Sequence, residues 1–188
     1  MDIGVAQRCL GEVDMQALKD RILAQEPEAW AEQAIRQQMY EVHKDTESIV
    51  MLFCEESWPE GEIYRESGWE RLADVAMPVI DNIINTYYES GGLLLRAMAA
   101  KLKAQGRIPP HRDKLSSFHI GHRVHVPITT SAAVRYTIAG KPYQFEVGNA
   151  YEINNQELHS VMNMGKDDRI SFIFDYVPAD KLPGTVVR

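Results

Sequence analysis

Cysteine is nearly missing from this chain: Cys9 and Cys54 are the two thiols in 188 residues. They stand far apart on apolar-flanked segments, so the expectation is two buried thiols in a reducing compartment rather than a disulfide framework. No run approaches the roughly 18 to 20 apolar residues of a membrane-spanning helix. The N-terminus carries early acids and no basic-then-apolar segment, which argues against a signal peptide. Positive charge is scarce as well, with 20 Lys and Arg against 27 Asp and Glu and a net charge of -7. That balance argues against a nucleic-acid partner, which needs a basic footprint, and against an anionic membrane surface. Repeats, low-complexity tracts and Gly/Ser linkers are absent. A hydrophobic fraction of 45% and a charged fraction of 25% fit an ordinary globular chain. The expectation is a single cytoplasmic domain over 1–188, with the oligomeric state unspecified.

The chain changes character near residue 90. Before it, helical signals dominate. Asp14 can cap "MQALKDRILAQ", in which Met15, Leu18, Ile22 and Leu23 form one stripe. Pro27 suits the first turn of "PEAWAEQAIRQQMY". "SIVMLFC" reads as a short buried strand. "WERLADVAMPVIDNIINTYYES" reads as a helix, kinked at Pro78 and ended by Gly91-Gly92, with Leu72, Val75, Val79, Ile80, Ile83 and Ile84 inward. After it come "LLLRAMAAKL", "RVHVPIT", "VRYTIAG", "KPYQFEVG", "NAYEINN" and "RISFIFDYV", separated by turn residues. Short, evenly spaced strands predict a sandwich or barrel rather than βαβ units. The expected architecture is mainly β with α: a jelly-roll core over 93–178, a mostly helical flanking part over 1–92, and a tail over 179–188. Met39, Met51, Met77 and Met98 read as core fillers.

Candidate chemistry starts at "IPPHRD", where His111 and Asp113 share a face if the segment is extended. With 6 His in the chain, one such pair is unremarkable by chance. His159 in "NNQELHSVMN" is the candidate third ligand. Two His and a carboxylate suit a non-haem Fe(II) centre with open positions, but zinc accepts the same set. "RISFIFDYV" bears on the choice. Its Ile170, Phe172, Phe174 and Tyr176 form an apolar face, while Arg169, Ser171, Ile173 and Asp175 form the other. A buried Arg and Ser call for an anion, which a dicarboxylate cosubstrate would supply. Arg169 could instead pair with Asp167, Asp168 or Asp175. In "HRVHVPI", Arg123 and His125 share a face in the same way, although a wet sheet face also carries such residues. His119 and His122 read as surface or supporting residues, and His43 as solvated.

"PHRD", "RVHVPI", "GNAYEINN", "HSVMNMG" and "RISFIFDY" together resemble the core of the aspartyl/asparaginyl β-hydroxylase family, over roughly Leu93 to Pro178. The resemblance implies a double-stranded β-helix and an Fe(II)- and 2-oxoglutarate-dependent dioxygenase, with O2 as cosubstrate. It implies His111 and His159 as iron ligands and Arg169, with Ser171, on the distal carboxylate of 2-oxoglutarate. Arg123 and His125 would then lie near its metal-chelating end. The animal protein hydroxylases of the family have glycine where this chain has Asp113. Asp113 therefore looks like a third metal ligand (His111, Asp113, His159), and direct transfer of the animal enzymes' substrate is weakened.

The implied reaction is hydroxylation of an unactivated C–H in an aspartyl- or asparaginyl-type side chain of a peptide or protein. Two rivals stay open: hydroxylation of a free amino acid or other small metabolite, and a non-catalytic jelly-roll module holding zinc. Specificity would come from the loops at Glu55 to Gly68 and Lys114 to Gly121, which carry no readable code.

Overall fold

The computed structural model describes residues 1–32 and 44–184. Its central element is β11 (Arg169–Val177), whose alternate side chains separate by polarity. Ile170, Phe172, Phe174 and Tyr176 enter one buried apolar cluster, while Arg169, Ser171 and Asp175 are buried on the opposite face. A strand buried on both faces has to lie inside a layered fold. Around it the described residues form two antiparallel sheets. The larger runs in the order β1 (Gln7–Glu12), β9 (Asn149–Ile153), β6 (His122–Thr129), β11, β4 (Leu93–Leu102), β2 (Thr46–Cys54) and β3 (Ile63–Arg65). The smaller runs β5 (Arg107–His111), β10 (His159–Asn163), β7 (Val134–Ile138) and β8 (Lys141–Tyr143). The result is the expected jelly roll, with helices on the outer face of the larger sheet.

Those helices explain the apolar face of β11. α1 (Gln16–Leu23), α2 (Pro27–Ala31) and α3 (Gly68–Tyr87) share one cluster with Phe172 and Phe174, both fully buried. On α3, Leu72, Ala76, Val79, Ile80, Ile83 and Ile84 are buried at helical spacing, and Val75 packs beside them. Gly68 lets the helix start directly on β2, since a Cβ there would lie 2.4 Å from the Val50 carbonyl oxygen. The helix passes through Pro78 and ends at Tyr87, with Tyr88 N donating to Ile84 O at 2.9 Å. Gly91, at φ +81, then turns the chain into β4. A second cluster, including Leu102, Tyr136, Phe145, Ile153 and Val161, packs between the sheets. Met51 and Met98 are buried as expected of core fillers, and Met77 packs against the core.

Several expectations need correction. The N-terminal part does more than flank the core, because β1, β2 and β3 are three strands of the larger sheet. β1 pairs with β9, some 140 residues away in sequence, so its strand state rests on a distant partner. Cys9 lies on this edge strand and is exposed; Cys54 is buried, and both thiols are free. Leu23, at the helix end, is 49% exposed. Asp14 does not cap α1 closely: Met15 holds the N-cap position, and Asp14 Oδ1 reaches Gln16 N only at 3.5 Å. Of "KPYQFEVG", only Lys141–Tyr143 is strand, while Phe145 leaves the ladder to enter the core. Pro27 does open a helix, but the helix's expected continuation, with Met39 and His43, lies outside the described residues. Among the described residues, no helix is long and apolar enough to cross a membrane.

Candidate active site

His111 is the last residue of β5 and His159 the first of β10, and the two face each other in the antiparallel register. Their ring centroids are 4.3 Å apart. Each ring is fixed by the carbonyl two residues before it. His111 Nδ1 contacts Pro109 O at 2.8 Å, and His159 Nδ1 contacts Glu157 O at 2.9 Å. An Nδ1–H donated to a carbonyl selects the tautomer whose Nε2 carries the lone pair, as a metal ligand requires. Asp113 follows two residues after His111, its backbone N–H held by Asn155 O at 3.1 Å. Its Oδ1 lies 3.8 Å from His111 Nε2. One ligand atom from each of His111, Asp113 and His159 lies within 4.8 Å of the other two, a spacing that a single cation can gather in. Burial pushes the His159 imidazole below its ordinary pKa, which keeps it in the neutral form that binds metal.

The second oxygen of Asp113 is already engaged. Arg123, on β6, donates from Nη1 to Asp113 Oδ2 at 2.7 Å. Its Nε and Nη2 donate to the two oxygens of Asp175, each at 2.8 Å. Burial works against the Arg123 charge, but Asp113 and Asp175 outweigh it and raise the pKa. Asp175 does not orient Arg169, as the shared strand face allowed; it pairs with Arg123 and with Arg96. Arg123 does line the cavity, yet three of its donors are spent on carboxylates rather than left for a cosubstrate.

One cavity is lined by His111, His159, His125, Tyr136 and Arg169, with Ile108, Ile138 and Val161 among its apolar walls. Arg169 is 3% exposed and makes no ion pair among the described residues. Asp168, one of its expected partners, instead accepts the Ala104 N–H at 2.8 Å. The guanidinium donates to the Tyr136 hydroxyl, while its Nε is buried without a partner. An unpaired buried cation costs several kcal/mol, which an anion entering the cavity would offset. Ser171 is fully buried, its Oγ 3.4 Å from the Tyr136 hydroxyl, and reaches the cavity through that residue. His125 is 6% exposed, and neither ring nitrogen has a partner among the described residues. Burial first, then Arg169 and Arg123, holds its pKa well below the ordinary value, so the ring is neutral.

The donor set and the orphaned polar atoms fit the implied groups. Two imidazoles and a carboxylate suit Fe(II), and a buried guanidinium lining the cavity of the two histidines suits the distal carboxylate of 2-oxoglutarate. Residues that sequence reasoning missed are Tyr136, Arg96 and Glu152. Tyr136 had a signal: it is the inward tyrosine of "VRYTI", and a buried hydroxyl needs a polar partner. Glu152, fully buried, binds Arg8 and His122 at 2.5 Å each, which gives His122 a supporting role. His119 is exposed, and Arg112 points outward to Gln156 O. The two loops expected at the mouth touch, with Ser116 Oγ donating to Trp58 O at 2.7 Å.

No curated protein matches the chain by sequence. Among solved structures, it is similar to the viral collagen prolyl hydroxylase of Paramecium Bursaria Chlorella virus-1 in its 2-oxoglutarate complex. The two share 9% identity and a TM-score of 0.59, over 94% of this chain and 97% of that one. A 2-oxoglutarate-Fe(II) oxygenase-family protein from Burkholderia pseudomallei shares 10% identity and a TM-score of 0.53, over 70% of this chain and 66% of that one. AviO1 from Streptomyces viridochromogenes shares 11% identity and a TM-score of 0.53, over 96% and 93%. At such identities the likeness is one of fold. Residues 17–178 match the family described as aspartyl/asparaginyl beta-hydroxylase. The chain belongs to that family and is a 2-oxoglutarate-dependent non-haem iron oxygenase.

Proposed function

We propose that the protein hydroxylates an aspartyl- or asparaginyl-type side chain in a peptide or protein, with His111, Asp113 and His159 as the iron ligands. The observation that carries the site assignment is that both histidines of a His/Asp/His cluster line the same cavity as the acid-free buried Arg169. Arg169 and the Tyr136 hydroxyl bind the distal carboxylate of 2-oxoglutarate, with Ser171 holding the tyrosine from behind. His125 supplies a neutral ring to the metal-proximal end, where it can donate or accept one hydrogen bond. When bound, iron and 2-oxoglutarate together supply the oxidising chemistry that inserts one atom of O2 into an unactivated C–H bond. The chain's contribution is to orient both groups and exclude water. The apolar walls Ile108, Ile138 and Val161 keep the cavity dry and strengthen the Arg169 contact.

Family membership favours a peptide substrate. The test is to offer Asp- and Asn-containing peptides and, separately, free aspartate and asparagine to the Fe(II)-loaded protein, following succinate release and product mass. A peptide that accelerates succinate release and gains one oxygen atom supports the proposal. Acceleration and oxygen gain only with a free amino acid would move the substrate assignment to small metabolites.

A further inference from the structure

Asp175 is six residues along β11 from Arg169, 3% exposed, and bracketed by two guanidiniums. On one side Arg123 grips it through Nε and Nη2. On the other, Arg96 of β4, 2% exposed, donates from Nη1 to Asp175 Oδ2 at 3.4 Å and to Ser117 Oγ at 3.1 Å. The strand register places these residues side by side, since Asp175 is opposite Arg96 on β4 and opposite Arg123 on β6. Phe118 of α4 (Ser116–Ile120) completes the assembly, with both guanidinium carbons 4.4 Å from its ring centroid. Arg96, Asp175, Arg123 and Asp113 thus form one charge-alternating chain, two cations and two anions, that ends on a candidate metal ligand.

We infer that Asp175 and Arg96 are positioning residues for the iron-ligand carboxylate, acting through Arg123 to hold Asp113 in one-oxygen coordination. The physical case is one of donor geometry. A guanidinium gripped along its Nε/Nη2 edge by Asp175 is fixed in orientation, and the donor it directs at Asp113 is Nη1. It therefore takes Oδ2 of Asp113 and leaves Oδ1, the oxygen nearer His111 Nε2, for the metal. Without Asp175, Arg123 is free to turn its fork onto Asp113 and occupy both oxygens, in direct competition with the cation. Arg96 supplies a second positive charge that, after Arg123, offsets the burial of Asp175 and helps keep it ionised as Arg123's anchor. The pairing also gives Arg123 a function that does not require contact with 2-oxoglutarate.

The inference rests on Asp113 being a metal ligand, and Co(II) titration of the metal-free protein, followed by ligand-field absorption, separates the two. Asp113→Ala should weaken Co(II) binding; unchanged affinity there would remove the ligand assignment itself. Asp175→Asn should weaken Co(II) binding by roughly tenfold or more and alter the absorption envelope. In the Asp113→Ala background the same Asp175→Asn change should have no further effect. A full-sized Asp175→Asn effect in that background, or no effect in the parent, would overturn the inference while leaving the metal centre intact. Should Asp175→Asn fail to fold, Arg123→Lys decides: its ammonium lacks the planar fork that grips Asp175 and Asp113 along separate edges, so its loss of Co(II) affinity must likewise vanish with Asp113→Ala.

Discussion

Arg169 and Asp175 project from the same face of β11, and their surroundings are opposite: Asp175 lies between two guanidiniums, whereas Arg169 has no carboxylate within reach among the described residues. The strand thus divides into a self-neutralised end, linked through Arg123 to the proposed metal ligand Asp113, and an electrostatically unfinished end that lines the cavity. The unfinished end is where the proposal places the cosubstrate's charge.

Replacing Arg169 by Met should have contrasting effects on the free and loaded protein. Without ligand, removing an unpaired buried cation should leave stability unchanged or raise it. With 2-oxoglutarate, loss of the charge-assisted contact should cost about 2 kcal/mol or more, a rise in KM of roughly 30-fold or greater. Thermal melting with and without 2-oxoglutarate, together with steady-state kinetics, checks both. A ligand-induced shift that survives in the variant would contradict the assignment.

Tyr136→Phe removes the hydroxyl that links Arg169 to Ser171 while keeping the ring stacked on Phe145. The expected cost is about 1–3 kcal/mol and should appear in the KM for 2-oxoglutarate, with kcat little changed. A kcat loss at saturating 2-oxoglutarate would instead place the hydroxyl near the reacting atoms.

Metal removal should be visible in stability, because the three proposed ligands come from β5, the residues after it, and β10. At free metal about 100 times Kd, binding adds about 2.7 kcal/mol, so chelation should lower Tm by several degrees. The His111→Ala/His159→Ala double variant should lose that response and release no succinate.

Acid stability should depend on Glu152. Burial tends to raise its pKa, but His122 and Arg8 outweigh this and lower it below the ordinary value of 4.5. A lowered folded-state pKa means stability that is fully present above the unfolded value and lost as pH falls through the folded one. Glu152→Gln should therefore cost about 1–3 kcal/mol at pH 7 and flatten the decline below about pH 4.5. The half-exposed Arg8 keeps the effect at the lower end of that range. Urea unfolding across pH is the measurement, and parallel pH profiles for the two proteins would rule the role out.

Local pattern alone was enough for much of this molecule. The period-2 split of "RISFIFDYV" told which side of β11 is an apolar core face and which carries the polar groups, because alternation along a strand needs no partner to be read. The helical stripe of α3 and the pairing of His111 with Asp113 two residues on were local in the same sense. What the tertiary structure decided is who meets whom across strands. β1 exists as a strand because β9 accepts it, Glu152 is buried because Arg8 and His122 arrive from two other strands, and Arg123 is aimed at Asp113 because Asp175, set beside it by the β11–β6 register, holds its other edge. Each of these contacts joins residues remote in sequence, and register between strands is set by collective packing rather than by any residue's own preference.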